Sequence, residues 1–344
     1  MPTRSYLFPH NFSHIEALLR SENQELSDKD FIPFREKNIA PLFTTLDLAI
    51  VLGIGPRLIF SIQKNQKNYY REFSIRKSNG TLRQINAPRT YLKVIQWWIL
   101  DNILAKITLP SYIFGFSKGG SIQNNASYHL QSRHLLNVDI KSFFNSVSKR
   151  QVTKVFLDLG YSEEASSTLA KLCTLDNCLP QGAPTSPCLA NLVMIEADNE
   201  IQYLSSRLGI KYSRYADDLT FSSAQYIGLD FLNHVSLIIE KYGFALNTKK
   251  TRFAGTGSRM EVTGLVAGYF IQPPIQWRKL VRARLHRLKN KEALDINDIS
   301  YLLGIRGYSL QFPTAKQMQS LLNSCDELLK RSPPVFTNSK VRLI

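Results

Sequence analysis

Apolar residues recur at three- to four-residue intervals along much of the chain, a spacing typical of helices that bury one face. LDLAIVLGI and LIFSIQKN show this spacing on either side of the breaker Gly53-Ile54-Gly55-Pro56, so two short helices are predicted there. Further along, YLKVIQWWILDNILAKI predicts a helix with a wide apolar face. We therefore expect helices to build much of the core.

Strands are predicted between the helical stretches. Two alternating runs flank Ser78-Asn79-Gly80, which is a strong hairpin signal, and LLNVDIKSFF begins as a buried strand. IKYSRYADDLTFSS predicts two strands joined by a tight turn at its aspartates. Helices are predicted from Arg150 to about Leu175 and from Pro187 to about Leu208. This alternation indicates an α+β fold in which helices back an antiparallel sheet.

The charge of the chain points to a polyanionic partner. A formal net charge of +16 over 344 residues makes nucleic acid the leading candidate. From Ile271 to the C-terminus, 13 Lys and Arg stand against 5 Asp and Glu, so this segment carries half of the excess. No membrane partner is expected, because the sequence has no run of about 18 apolar residues and no lipidation motif.

Cysteine usage and the start of the chain indicate a cytoplasmic protein. Cys173, Cys178, Cys188 and Cys325 match neither a paired zinc pattern nor the disulfide framework of a small secreted domain. The first residues lack the basic end and the apolar stretch of a secretory signal. We therefore expect ordinary thiols.

Three carboxylates stand at predicted strand ends. Asp139 ends the apolar strand LLNVD, and Asp217 and Asp218 lie at the turn of the second hairpin. If the strands are neighbours, the carboxylates converge, and divalent cations readily neutralise such a cluster. Two Mg²⁺ ions about 4 Å apart would favour in-line phosphoryl transfer. The alternative is an Asp-rich turn with no catalytic role, because Asp is common in turns.

Three motifs, taken in order, resemble the palm motifs of reverse transcriptases. They are LLNVDIKSFF, LPQGAPTSP and RYADDLTFS. The resemblance implies a right-hand polymerase fold with fingers, a palm and a helical thumb, and the activity of an RNA-directed DNA polymerase. It implies that the catalytic, metal-binding residues are Asp139, Asp217 and Asp218, with the Ile140 carbonyl as a further metal ligand.

The resemblance also assigns residues to the deoxynucleotide. Phe144 matches the bulky side chain that abuts the sugar 2′ position in this family and excludes ribonucleotides. The alternative is a core Phe, and Phe143 beside it must point elsewhere on alternating geometry. Gln181 and Gly182 would line the junction of nucleotide and template-primer, where a glycine allows close approach of backbone to ligand.

Basic residues of the first hairpin are similar in position to the triphosphate-binding residues of the family's fingers. Lys77 and Arg83 flank its turn, and a guanidinium can bind triphosphate oxygens in bidentate fashion. Solvated charges on an exposed hairpin are the alternative. Lys249 or Lys250 would lie near the leaving pyrophosphate, and the sequence does not choose between them; Lys249 is taken as the candidate.

Two further motifs are similar to signatures of retron reverse transcriptases. Asn125-Ala126-Ser127-Tyr128-His129 matches NAxxH, and Val262-Thr263-Gly264 matches VTG. The resemblance, which extends from about Leu46 to Leu288, implies that RNA is contacted by Asn125, His129, Val262, Thr263 and Gly264. A structural role for His129, with its hydrogen bonds satisfied inside the protein, is the open alternative.

Membership of the retron type would imply particular partners. Such enzymes recognise a structured noncoding RNA from their own locus, use a guanosine 2′-OH in it as primer and copy an adjacent part into DNA. The branched RNA–DNA hybrid commonly acts in antiphage defence, where it holds a toxic effector protein from the same locus in check. Removal of the RNA would need a host RNase H.

The resemblance divides the chain into four parts. Residues 1–45 form an N-terminal helical extension, 46–135 with part of 150–180 the fingers, 136–265 the palm, and 266–344 the thumb with a C-terminal RNA-binding region. In WRKLVRARLHRLKN the apolar residues Trp277, Leu280, Val281, Leu285 and Leu288 are predicted to pack. Arg278, Arg282 and Lys289 on the other face would bind phosphate.

Other functions share some of these features. A reverse transcriptase of another bacterial subfamily, group II intron-like or CRISPR-associated, would have the same palm. A catalytically idle RNA-binding scaffold of a defence complex would not need the intact carboxylates. An RNA-dependent RNA polymerase would accept ribonucleotides, which Phe144 argues against.

Overall fold

The first part of the chain is helical. The computed structural model describes residues 11–76, 80–255 and 257–331. It begins with four helices, α1 (Phe12–Glu22), α2 (Asp28–Lys37), α3 (Thr45–Leu52) and α4 (Pro56–Lys64). The last two are the short helices predicted around the breaker: Gly53, at φ 61°, ends α3 in the left-handed region, and Pro56 starts α4 with a preset φ.

A two-stranded ribbon and a long helix follow. Strands β1 (Tyr70–Arg76) and β2 (Leu82–Pro88) pair antiparallel, as the hairpin signal predicts. The tip at residues 77–79 lies outside the described residues. Helix α5 (Thr90–Asn102) is shorter than predicted, because a 3-10 turn at Leu104–Lys106 takes over its last residues.

Six helices stand before, between and after the first three strands of the central sheet along the chain. They are α6 (Ile122–Tyr128), α7 (Phe143–Ser146), α8 (Lys149–Asp158), α9 (Glu163–Cys173), α10 (Ser186–Arg207) and α11 (Leu229–Lys241). The stretch predicted as one helix from Arg150 to Leu175 is two helices, because Gly160 adopts φ 104° between them. Across the described parts of the chain, no helix combines the length and apolarity needed to cross a membrane.

The central sheet has four antiparallel strands. They are β3 (His134–Asp139), β4 (Lys211–Tyr215), β5 (Asp218–Ser223) and β6 (Arg252–Ala254), in the spatial order β4-β5-β3-β6. Its apolar side chains pack with those of α10 and α11 in one large core. The predicted α+β architecture, an antiparallel sheet backed by helices, is therefore confirmed.

A second core lies towards the C-terminus. Three short strands, β7 (Glu261–Val262), β8 (Leu265–Ala267) and β9 (Ile271–Gln272), precede α12 (Ile275–Lys289), α13 (Ile296–Ser309) and α14 (Lys316–Lys330). Of the residues predicted to pack on α12, Val281, Leu285 and Leu288 are buried and Trp277 partly so. The prediction was wrong for Leu280, which is 73% exposed because it lies about 100° around the helix from Val281.

Helix α6 is attached to the central sheet by a buried hydrogen-bonded group. The Ser213 hydroxyl donates to Asn125 Oδ1 at 2.6 Å, so its oxygen accepts from His129 Nε2 at 2.7 Å. The other ring nitrogen, Nδ1, accepts from the Ser222 hydroxyl at 2.7 Å. Burial lowers the pKa of His129 to about 3, so its imidazole is neutral.

The other side of α6 contacts the second core. Ala126 belongs to that core, and the Thr263 hydroxyl donates to the Ile122 carbonyl at 3.3 Å. Helix α6 thus connects the central sheet to strands β7 and β8 of the second core. It therefore sets the position of one core relative to the other.

We predict that the protein loses stability on acidification faster than a His129→Gln variant. The folded-state pKa of about 3 lies below the value of about 6.5 in the unfolded chain, so between these values the unfolded state binds the extra proton. As pH falls below about 6.5, the difference in unfolding free energy between the two proteins should shrink by about 1.4 kcal/mol per pH unit. Urea unfolding at pH 7.5 and 5.5 measures this, and equal losses in both proteins would contradict it.

Candidate active site

The structure brings the three predicted carboxylates together at one end of the central sheet. Pairing of β3 with β5 places Asp139 opposite Asp218. Asp217 precedes Asp218 in the turn between β4 and β5, and its carbonyl oxygen accepts a hydrogen bond from the Ile140 amide at 2.9 Å. The turn is therefore tied directly to the end of β3.

Burial and mutual repulsion perturb this cluster. The pKa of Asp218 rises to about 6, chiefly through burial and then through the charges of Asp217 and Asp139. Burial also raises the pKa of Asp217, while the positive charges of Lys250 and Arg83 oppose the shift. Proximity of cations therefore stabilises the ionised cluster.

Two side chains from the turn after α11 hold Asp139. Lys250 Nζ lies 2.5 Å from Asp139 Oδ1, and Asn247 Nδ2 donates to Oδ2 at 3.2 Å. The Asn247 amide also donates to the Asp139 carbonyl at 2.7 Å. The pKa of Lys250 is raised, first by its hydrogen bond to Asp139. A protein cation thus already sits on one carboxylate of the cluster.

The donor set suits a hard divalent cation. Three carboxylates and the main-chain carbonyl of Ile140 offer oxygen only, which Mg²⁺ prefers. The bridge between Ile140 and Leu246 uses the carbonyls of Asp139 and Ala245, so it does not use that of Ile140. Within the described ranges, no group of three or more His, Cys, Asp or Glu side chains is already arranged to coordinate a metal ion by itself. Mg²⁺ is commonly held by one or two carboxylates plus substrate phosphates, so these residues fit a site that substrate completes.

A buried ion pair supports the turn that carries Asp217. Arg214 and Asp198 are both fully buried and pair in bidentate fashion, with N···O distances of 2.8 and 2.6 Å. Arg214 also donates to Asn191 Oδ1 at 2.8 Å and to the carbonyl of Ala216 at 3.1 Å. The Tyr212 hydroxyl donates to Asp198 at 2.6 Å. The residue before Asp217 is therefore fixed from inside the core.

A glycine packs against the other side of the same turn. A Cβ at Gly115 would lie 2.2 Å from the Ala216 nitrogen, so no side chain can be accommodated there. The Phe114 amide donates to the Arg214 carbonyl at 2.9 Å, and Asn191 Nδ2 donates to the Gly115 carbonyl at 2.9 Å. None of these supporting residues was predicted from the sequence. The one available signal was Arg214, a charged residue in a strand of the predicted hairpin, which requires a partner if it is buried.

Two cavities open on the carboxylates. The fingers-side cleft, about 650 Å³, is lined by residues that include Arg83, Asp139, Phe144, Gln181 and Asp217. The thumb-side pocket, about 510 Å³, is lined by residues that include Asp139, Asp218, Lys249, Thr263 and Gly264. Asp139 lies between the two cavities, so ligands in both would meet at this carboxylate.

Most residues predicted to bind the nucleotide line the fingers-side cleft. Arg83, Phe144 and Gln181 do so. Phe143 is buried but also lines this cleft, and both rings lie in the short helix α7, so the strand alternation expected to separate them does not apply. Lys77 lies outside the described residues. Lys250 lines both cavities, whereas Lys249 lines the thumb-side pocket. The structure therefore favours Lys250 over Lys249 as the residue near the nucleotide.

Gly182 has a different neighbour from the predicted one. A Cβ there would lie 3.0 Å from both the Asn86 carbonyl oxygen and Ile85 Cγ2, which belong to β2. The Asn86 amide donates to the Gln181 carbonyl at 2.8 Å. We therefore correct the prediction: this glycine lets its loop pack on the ribbon, and the close approach is to protein backbone.

Three residues assigned to RNA are inaccessible. Asn125, His129 and Val262 are each 0% exposed, so direct contact of their side chains with RNA is excluded in this structure. The alternative of a structural His129 is confirmed by its two hydrogen bonds inside the protein. Sequence motifs carry no sign of burial depth, which is why these positions were misassigned.

The other residues assigned to RNA are accessible to different degrees. Thr263, at φ 46°, and Gly264, at φ 80°, form the turn between β7 and β8 and line the thumb-side pocket. On α12, Arg282 is exposed, whereas Arg278 is half-buried and its pKa is lowered, first by burial and then by Arg282. Arg282 is therefore the better placed of the two to meet phosphate.

Comparison with known proteins identifies the class. The family model for "Reverse transcriptase (RNA-dependent DNA polymerase)" matches residues 75–267. This range includes all three carboxylates and the residues that line the two cavities. The chain belongs to the reverse transcriptase family and is an RNA-directed DNA polymerase with an α+β right-hand polymerase fold.

Within the family the chain is of the retron type. It is 37% identical over 250 residues to the retron Ec86 reverse transcriptase of Escherichia coli, covering 69% of this chain and 76% of that protein. It is 30% identical over 317 residues to the retron Mx65 reverse transcriptase of Myxococcus xanthus, covering 85% of this chain and 74% of that protein.

We predict that Lys250→Met slows deoxynucleotide addition more than Lys249→Met. The two lysines are adjacent in sequence, but Lys250 binds Asp139 and lines both cavities. Loss of its charge should reduce the single-turnover addition rate at least about tenfold, the scale of a positioned proton donor or cation. Rapid-quench extension of a primed RNA template measures both rates. A larger defect in Lys249→Met would contradict the placement.

Proposed function

We propose that the chain copies part of a structured noncoding RNA into DNA, starts from a guanosine 2′-hydroxyl and leaves a branched RNA–DNA hybrid. The observation that carries the proposal is the position of Asp139 between two cavities, one lined by Arg83 and the other by the Thr263-Gly264 turn. The deoxynucleotide occupies the fingers-side cleft, and the priming end of the RNA occupies the thumb-side pocket. The retron reverse transcriptases among its relatives support this choice.

Basic and aromatic residues orient the nucleotide. Arg83, with Lys77 on the same hairpin, binds triphosphate oxygens, because a guanidinium offers paired donors to them. Phe144 lies against the sugar and excludes a 2′-hydroxyl by its volume, so deoxynucleotides are selected. Gln181 lines the same cleft near the template-primer junction.

Asp139, Asp217 and Asp218, with the Ile140 carbonyl, would hold two Mg²⁺ ions. When bound, such ions lower the pKa of the attacking hydroxyl and neutralise charge that develops on the phosphate oxygens. The priming hydroxyl gives its proton to solvent, and its oxygen bonds to the α-phosphorus while the bond from that phosphorus to the pyrophosphate oxygen breaks. Lys250, which lines the cleft proposed for the nucleotide, would stabilise the negative charge of the departing pyrophosphate.

The basic C-terminal region binds the RNA backbone. In α12 the buried stripe faces the second core, and Arg282 with its neighbours Lys279 and Lys289 lies exposed on the outside. Such phosphate contacts fix position without reading bases, and they weaken with salt. In this account residues 1–45 are an N-terminal extension, 46–135 with part of 150–180 the fingers, 136–265 the palm and 266–344 the thumb with its RNA-binding region.

The hybrid product acts in antiphage defence in this proposal. A host RNase H removes the copied RNA, and the enzyme with its hybrid holds a toxic effector protein from the same locus inactive. Cytoplasmic location follows from these partners. The support is the membership of the retron type, since no residue of the chain identifies the effector.

Co-purification from cells carrying the native locus tests the proposal. Nucleic acid bound to the wild-type protein and to the Asp217→Asn/Asp218→Asn double variant is extracted and treated with RNase or DNase. We expect a discrete short DNA that survives RNase and is absent from the double variant, since two neutral amides remove the negative charges that would balance the metal ions. Debranching of the product would then map the priming 2′-hydroxyl.

Other outcomes separate the alternatives. If only RNA co-purifies while the protein extends a generic primed RNA with deoxynucleotides, the chain is a reverse transcriptase that does not perform retron synthesis. If the double variant still protects its cells against phage, DNA synthesis is not needed for defence and the chain acts there as an RNA-binding scaffold.

A further inference from the structure

One aromatic residue at the active site has a backbone conformation that side chains rarely adopt. Phe116 has φ 58°, in the left-handed region that favours glycine. Its side chain is 47% exposed, so burial in a core does not offset the strain. Residues held in such conformations cluster at functional sites, and the observation calls for a functional explanation.

The conformation is imposed by the segment on both sides. Gly115 is packed on the Ala216 nitrogen, where a Cβ would lie 2.2 Å away, and the Phe114 amide is bonded to the Arg214 carbonyl. On the other side, a Cβ at Gly120 would lie 2.1 Å from the Phe114 carbonyl oxygen. The loop from Phe114 to Gly120 is therefore closed tightly on itself and on the turn that carries Asp217.

This loop presents the Phe116 ring to the fingers-side cleft. The ring lines that cleft together with Phe144 and Asp217. Its centroid lies 6.2 Å from that of Phe144, with an angle of 45° between the ring planes. Phe144 also contacts Phe143, at 5.6 Å between centroids, and Phe143 is buried. The Phe144 ring thus has two aromatic neighbours, one buried and one exposed.

We infer that Phe116 is a specificity-determining positioning residue, which holds the Phe144 ring in the orientation that excludes a 2′-hydroxyl on the incoming nucleotide. The inference rests on the proposed function, in which Phe144 selects deoxynucleotides. A ring with only one aromatic neighbour can leave its rotamer when a larger sugar presses on it. Phe116 supplies a second aromatic contact, and aromatic pairs at this separation attract each other.

Substitution by glycine separates this role from a merely structural one. Phe116→Gly removes the ring and also suits φ 58°, so the thermal midpoint should stay unchanged or rise. Its ratio of ribonucleotide to deoxynucleotide kcat/KM, measured by single additions to a primed RNA template, should rise at least about tenfold. Phe116→Tyr keeps the ring and should keep the wild-type ratio. Tyr203→Ala, which removes a 66% exposed ring of α10, is the matched control and should change neither quantity.

A double variant shows whether Phe116 acts through Phe144. If it does, Phe116→Gly/Phe144→Ala should be no less selective than Phe144→Ala alone, because the ring to be positioned is already missing. Additive losses of selectivity, or a wild-type ratio in Phe116→Gly, would overturn the inference. A lower thermal midpoint with unchanged selectivity would make Phe116 structural only.

Failure of the inference is distinguishable from failure of the proposed function. If the wild-type protein adds deoxynucleotides and Phe144→Ala relaxes selectivity, the nucleotide assignment holds whatever Phe116→Gly does. If Phe144→Ala leaves selectivity unchanged, the steric role of Phe144 is wrong and the role inferred for Phe116 is overturned with it.

Discussion

The active site depends on an ion pair that substrate never touches. Arg214 and Asp198 are both completely buried, and a charge left there without its partner would cost several kcal/mol. The pair is stabilised by further hydrogen bonds to Asn191, Tyr212 and the Ala216 carbonyl, so its geometry is fully determined. Since Ala216 directly precedes Asp217, the position of the catalytic turn follows from the position of this guanidinium. The three catalytic carboxylates can therefore remain close together despite their repulsion.

Buried polar contacts also explain how distant parts of the chain meet at the carboxylates. Asn125 of helix α6 and His129, which directly follows the helix, form a buried group with Ser213, one residue before Arg214. Through Ile122 and Ala126 this helix also contacts the second core, which carries the Thr263-Gly264 turn. The NAxxH residues thus fix the position of the thumb-side pocket relative to the central sheet through buried contacts. In the proposed function their role towards RNA is indirect, because they position the Thr263-Gly264 turn.

Sequence patterns predicted the parts of this site that depend on local order. Asp139, Asp217 and Asp218 stand at predicted strand ends, and they converge because β3 pairs with β5, a pairing that the sequence left as a condition. Patterns could not reveal which residues meet across long separations. Asp198 on α10 pairs with Arg214 on β4, Gly182 packs on β2, and Lys250 rather than Lys249 reaches Asp139. Each outcome is decided by tertiary packing, and nothing in the local sequence distinguishes the alternatives. The same holds for the burial of Asn125, His129 and Val262.

The most direct test of the account is the rate of nucleotide addition in an Asp198→Asn variant. Asn has the same shape as Asp and can still accept hydrogen bonds, but it does not neutralise Arg214. Single-turnover addition of one deoxynucleotide to a primed RNA template is measured together with the affinity for that template. The account predicts a rate at least about tenfold lower with the affinity unchanged, because only the catalytic turn loses its support. An addition rate equal to that of the wild-type protein would contradict it, since the turn would then not need the buried pair.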